Sequence, residues 1–145
     1  MKEPNRLSRA DGKRPDGLTQ ISWSEGKSLI WDVTVVDTLA NSYITSSSVT
    51  VGRVAELATE RKIQKYSELT AYTFVPLAFE TTGPLNLVGQ QLISNIGGRI
   101  AALSGDCREA AFLRQRISIA LQRYNSVCFR GTFGTSLELL HDNNF

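Results

Sequence analysis

Hydrophobic and polar positions divide the chain into a short series of elements. Leu29 to Val36 (Leu-Ile-Trp-Asp-Val-Thr-Val-Val) is dense in β-branched and aromatic residues and predicts a strand. Alternation places Leu29, Trp31, Val33 and Val35 on one face and Ile30, Asp32, Thr34 and Val36 on the other. Leu18 to Trp23 predicts a preceding strand, and Ser24-Glu25-Gly26-Lys27 between them has the residues of a hairpin turn. Residues 39 to 52 are rich in Ser and Thr, end at Gly52, and have no clear period. From Arg53 to Leu69 the steps become three and four, and Val54, Ala58, Lys62, Lys65 and Leu69 share one stripe. Tyr72 to Thr81 predicts another strand, with Pro76 putting it at an edge or a bulge.

Two helical patterns follow. Leu85, Val88, Leu92, Ile96, Ile100 and Leu103 line one helix that begins near Pro84 and is weakened at Gly97-Gly98. Leu113, Ile117, Ala120, Leu121, Tyr124, Val127 and Cys128 line a second, from about Arg108 to Phe129. The order β-β-α-β-α-α predicts an α/β (α+β) fold, a mixed sheet with an antiparallel hairpin flanked by helices. Residues 1–13, charged and poor in large apolar residues, are expected to form a disordered basic arm. Residues 14–130 are expected to form one domain, and 131–145, which have no period, a flexible tail.

Composition adds bounds rather than an answer. The 145 residues suit one domain with a real core, and the net charge of +2 does not by itself mark a nucleic-acid binder. Distribution says more. Lys2, Arg6, Arg9, Lys13 and Arg14 crowd the N-terminus, and Arg108, Arg114, Arg116, Arg123 and Arg130 line a C-terminal stretch with one acid, Glu109. Such surpluses can meet phosphates, although a solvated helix face is the commoner origin of an arginine series. Cys107 and Cys128 lack the number for a disulfide framework and the spacing of a zinc site; both are expected as small core residues of an intracellular protein. No apolar run has membrane-spanning length, and no secretory signal is expected.

The candidate chemistry lies in three stretches: Arg14-Pro15-Asp16-Gly17, Trp31-Asp32-Val33-Thr34 and Arg61-Lys62-Ile63-Gln64-Lys65-Tyr66. Singly each has an ordinary reading. Pro-Asp-Gly is turn chemistry, a strand acid often faces water, and helix lysines extend along a flank. Asp32, however, falls between apolar neighbours on one strand face, where an acid is costly unless paired. A hairpin would bring Asp16 toward the middle of the second strand, and a helix crossing the sheet would lay its lysines over the same point. Two carboxylates and a nearby cation are the inventory of phosphodiester cleavage.

In this order the residues resemble the PD-(D/E)xK nuclease superfamily, with Pro15-Asp16 as the first motif and Asp32-Val33-Thr34 as the second. Thr34 stands where that superfamily usually has its lysine. The closer likeness is to the restriction-enzyme-like endonuclease domain of non-LTR retrotransposons, in which the lysine belongs to a Lys-x-x-Lys-Tyr-like motif on the following helix. Arg61 to Tyr66 matches that motif, and Phe74 to Glu80 with Gly83 looks like the strand and turn after it. The likeness runs from Arg14 to Leu85, and the C-terminal helices resemble the tails of reverse transcriptase polyproteins. It implies a restriction-endonuclease-like core with a C-terminal helical pair. Asp16, Asp32 and the Val33 carbonyl would hold Mg²⁺ or Mn²⁺. Lys62 or Lys65 would orient water or stabilise phosphate charge, with stripe geometry slightly favouring Lys65. Tyr66 would meet the phosphate. Arg14, Arg116 and Arg123 are the candidate nucleic-acid contacts.

The function so implied is nicking of DNA, with the RNA of the parent element as a second partner and the nucleus as the compartment. Without a Tyr-x-Asp-Asp polymerase motif, the chain is expected to be a fragment of a longer polyprotein. Two rivals stand beside this reading. One is a decayed or domesticated copy that binds nucleic acid without cutting. The other is a non-enzymatic α/β module that docks a partner through the Leu113–Val127 stripe.

Overall fold

The computed structural model describes the backbone of residues 14–141 and the side chains of residues 14–132. The expected N-terminal arm, residues 1–13, lies outside the described residues, as do 142–145 and the side chain of His141. The chain divides into two compact units between Ile96 and Gly97, so the span expected as one domain, 14–130, carries both.

The first unit is an α/β layer. Strands β1 (Gly17–Leu18), β2 (Leu29–Val36) and β3 (Thr73–Glu80) form a mixed sheet in the order β1-β2-β3. β1 runs antiparallel to β2 with Gly17 opposite Trp31, and β3 runs parallel to β2 with Asp32 opposite Pro76. Between β2 and β3 lie a single short turn, α1 (Ile44–Ser47), and the crossover helix α2 (Arg53–Lys65).

The hairpin turn forms where the sequence places it. Ser24 and Lys27 exchange backbone bonds, with Glu25 and Gly26 at φ 49° and 75°. The first strand is much shorter than Leu18–Trp23, and Thr19 is the reason. Its amide donates to the Leu29 carbonyl (2.9 Å), but its hydroxyl, not its carbonyl, accepts from the Leu29 amide (2.9 Å) while donating to the Ile21 carbonyl (2.8 Å). A side chain thus replaces the ladder and ends it. Gly17 is required at the strand's start: a Cβ there would lie 2.0 Å from the Trp31 ring.

α2 packs on the even-numbered face of β2. Ala55, Ala58 and Ala78 form the buried contact with Val36 beside them, and Ile30 and Val54 are fully buried. Alanine at these positions lets the helix lie close to the sheet. The opposite face of β2 is more open, with Val33 and Val35 exposed at 42% and 55%. Pro76 does lie on an edge strand. The outer side of β3 is completed by Asn86, fully buried, whose Oδ1 accepts from the Ala78 amide and whose Nδ2 donates to the Pro76 carbonyl, each at 3.0 Å.

Glu80 ends β3 and is buried at 2% exposure. Its Oε1 accepts from the Val54 (3.0 Å) and Ala55 (3.2 Å) amides. Gly52, the residue before α2 at φ 81°, has no side chain to cap that helix, so a carboxylate from the sheet does so. Glu56 repeats the device one step on, accepting from the Leu87 amide (2.7 Å) where α3 (Leu87–Ser104) begins.

α3 runs from the first unit into the second, which holds α4 (Glu109–His141). Gly97 has a packing purpose there: a Cβ would come within 2.8 Å of the Ala110 Cα. α4 continues through residues 131–141, expected as flexible tail; no proline interrupts it, and each added residue closes one more helical bond. At 33 residues against 18 for α3, α4 outruns cover from that neighbour. This explains why Cys128 is exposed rather than a core residue; Cys107, also expected in the core, is exposed in the turn before α4.

Candidate active site

The hairpin register carries the first acid to the second. Gly17 faces Trp31 and Leu18 faces Ile30, so one more antiparallel step sets Asp16 opposite Asp32. Asp16 is exposed, and its Oδ2 accepts from the Val33 amide (2.6 Å). That bond also locates the Val33 carbonyl. Leu29 exchanges bonds with Thr19 on the β1 side, whereas Val36 accepts from Thr81 on the β3 side. Odd-numbered residues of β2 therefore turn both backbone groups toward β1, and past Gly17 no strand among the described residues lies beside that edge. The Val33 carbonyl opens where Asp16 lies.

Asp32 is 4% exposed, on the face covered by α2. Its Oδ2 is in contact with the Lys62 ammonium, and its Oδ1 accepts from the Tyr66 hydroxyl (2.9 Å). Helical spacing delivers both partners: Ala55, Thr59, Lys62 and Tyr66 fall on one stripe, buried from its start and crossing β2 at Asp32. The burial of this acid is thus offset by a cation and a hydroxyl. Tyr66 also reaches the Arg14 carbonyl (3.0 Å), so one phenolic proton serves two acceptors and ties the segment before Asp16 to the end of α2.

The two lysines part company. Lys62 holds Asp32; Lys65 lies with its ammonium 4.5 Å from the centroid of the Tyr66 ring. Stripe geometry drawn through Val54, Ala58, Lys62, Lys65 and Leu69 slightly favours Lys65, whereas in the structure it is Lys62 that contacts Asp32. Ala55 and Thr59 are buried and shift the stripe toward Lys62, yet neither is large or apolar enough to draw it in sequence. Tyr66 is 2% exposed and tilted against Phe74 (centroids 4.8 Å apart), and its hydroxyl donates to Asp32.

Asp16, Asp32, Val33, Lys62 and Tyr66 are therefore brought together, with Lys65 on the tyrosine's ring. Arg14 joins through its carbonyl. Arg116 and Arg123 are exposed positions of α4 in the second unit. Trp23 and Trp31 are half-buried, Trp31 over Gly17. The Arg14 carbonyl is the participant that no sequence signal marks, since any residue there would supply it.

Among the described residues no three His, Cys, Asp or Glu side chains gather as a metal cluster. The set here is smaller: two carboxylates and one main-chain carbonyl, all oxygen. It fits a hard divalent ion such as Mg²⁺, which keeps several waters and takes one or two carboxylates. One of the two acids, Asp32, is paired with an ammonium, that of Lys62. No helix among the described residues is long and apolar enough to cross a membrane. No protein-family model matches the chain, and no curated protein or solved structure does so either.

Proposed function

We propose that the chain is a metal-dependent DNA-nicking domain with a restriction-endonuclease-like core, derived from a retrotransposon polyprotein and working on nuclear DNA. The observation that carries this reading is the meeting of Asp32 with Lys62, beside Asp16 and the open Val33 carbonyl. These are the groups the resemblance names, and they are separated by up to 46 positions in sequence.

Each residue has a task. Asp16, Asp32 and the Val33 carbonyl would hold Mg²⁺ or Mn²⁺, which when bound supplies positive charge to a phosphoryl oxygen. The Val33 amide fixes Asp16, and Tyr66 fixes Asp32, so neither carboxylate must be ordered when substrate arrives. Lys62 is the cation nearest the acids and stabilises charge building on the phosphate. Lys65, over the tyrosine ring, supports that side chain and adds positive potential.

Supercoiled plasmid nicking tests the proposal. Open circles should accumulate with Mg²⁺ or Mn²⁺, vanish with EDTA, and be absent for Asp32→Asn. A second reading rests on the ion pair itself: Asp32 is already neutralised by Lys62, an arrangement that also suits a domain that binds nucleic acid without cutting. DNA binding undiminished by EDTA, without nicking, selects it.

A further inference from the structure

Both oxygens of Asp32 are engaged, one by Lys62 and one by Tyr66, and Asp16 gives one oxygen to the Val33 amide. A divalent cation taking either Asp32 oxygen as a ligand therefore comes beside one of these partners, and beside Lys62 two positive charges meet. The two differ in freedom. Tyr66 is 2% exposed, packed on Phe74, and bonded onward to the Arg14 carbonyl, so it can leave only by unpacking the end of α2. Lys62 carries its ammonium on a flexible four-carbon stem, and 22% of its side chain is exposed. The ammonium can move to solvent without disturbing the core.

We infer that the Lys62 ammonium is a built-in counter-ion that holds the cation's place on Asp32 and is exchanged for the metal when it enters. The inference rests on the proposed function. It assigns Lys62 two successive positions: on Asp32 while the site lacks metal, and released toward the phosphate once the metal has displaced it. Without metal, the buried acid stays neutralised and the lysine is tied up. The site would then be both stable and silent, and loading would supply the metal and free the lysine in a single exchange.

Competition makes a prediction opposite to that for a supporting residue. Removing a residue that helps build a metal site weakens binding, whereas removing a competitor strengthens it. Calorimetric titration of the whole chain with Mn²⁺ should find Lys62→Met and Lys62→Gln binding roughly tenfold more tightly than wild type. That is the low end of what one unit charge at contact distance does to a carboxylate's preference for its charged form. Asp32→Asn should not bind. Thermal melting provides a second readout: without metal Lys62→Met should melt below wild type, and saturating Mn²⁺ should raise its midpoint by more degrees than that of wild type. Should Lys62→Met fail to fold, Lys62→Gln carries the comparison, since its amide can still donate to Asp32 without the charge.

Equal or weaker Mn²⁺ binding by folded lysine variants overturns the exchange and leaves the nuclease reading standing. Absence of Mn²⁺ binding in wild type and lysine variants alike overturns both.

Discussion

Asp32 shows at the scale of one residue how much a strand's parity conveys. Its position between Ile30 and Thr34 is enough to predict a covered acid in need of a partner, and the structure buries it against Lys62 and Tyr66. Choosing between the lysines was beyond the sequence, because the stripe that selects Lys62 is drawn by Ala55 and Thr59, which carry little hydrophobic signal. The structure now makes the two unequal. Lys62→Met should lower the nicking rate by roughly a hundredfold or more, as loss of a transition-state charge stabiliser does. Lys65→Met, losing a ring contact, should chiefly weaken binding by a few-fold; measured initial rates at saturating and limiting DNA separate the effects. The ranking is wrong if Lys65→Met is the slower cutter. Gly17 offers a packing test nearby. Its added methyl in Gly17→Ala would enter the Trp31 ring, so about 1–3 kcal/mol of stability should be lost in denaturant titration. A variant as stable as wild type would show that the ring can step aside.

At the scale of elements, β2, α2, β3 and α3 lie within a few residues of where periodicity puts them, because burial of one face against another generates that signal. What periodicity could not convey is contact between distant polar groups. Thr19 shortens β1 through its hydroxyl, and Glu80 caps a helix whose amides lie 25 and 26 positions away. Neither bond leaves a trace in local pattern, and Glu80 alone looks like a strand end. Its role sets an expected order of stability. Glu80→Ala leaves two buried amides without their acceptor and should cost about 2–4 kcal/mol, whereas Glu80→Gln keeps an oxygen and should lose about 1 kcal/mol. Chemical denaturation of both variants checks this, and equal losses would mean that charge rather than hydrogen bonding dominates. The start of α4 has a different cap. Asp106 accepts from the Arg108 amide (2.9 Å) and pairs with its guanidinium (2.8 Å), and the side-chain bond holds its carboxyl below the usual carboxylate range. A depressed folded value means stabilisation present above the unfolded pKa of about 4 and lost as pH falls through the lower folded one. Helical signal should therefore drop slightly in acid for wild type, and that component should be missing in Asp106→Ala.

On the scale of the whole molecule, the candidate chemistry and the motifs that carry it lie in the first unit, while the second holds an arginine series with no chemical motif. Structure gives that series a direction. Leu113, Ile117 and Leu121 are the better covered side of α4, and Arg116, Arg123 and Arg130 repeat every seven residues on exposed positions, about 10.5 Å apart along the axis. Apolar residues interleave with them: Phe112, Ile119 and Val127 are exposed as well. Such a face suits a nucleic-acid backbone or an acidic protein partner, and salt separates the two through counterion release. If the arginines meet phosphates, Arg116→Ala with Arg123→Ala should weaken DNA binding at low salt and lower the slope of log affinity against log salt by up to about two. Loss should be nearly the same on unrelated sequences, because backbone contacts carry no sequence information. Arg108 provides the internal comparison. Its guanidinium already holds Asp106 through several bonds of 2.8 to 3.2 Å, so Arg108→Ala should leave the slope close to that of wild type. A double variant with unchanged affinity and slope would remove the helix from the DNA-binding surface and favour a protein partner on its interleaved face.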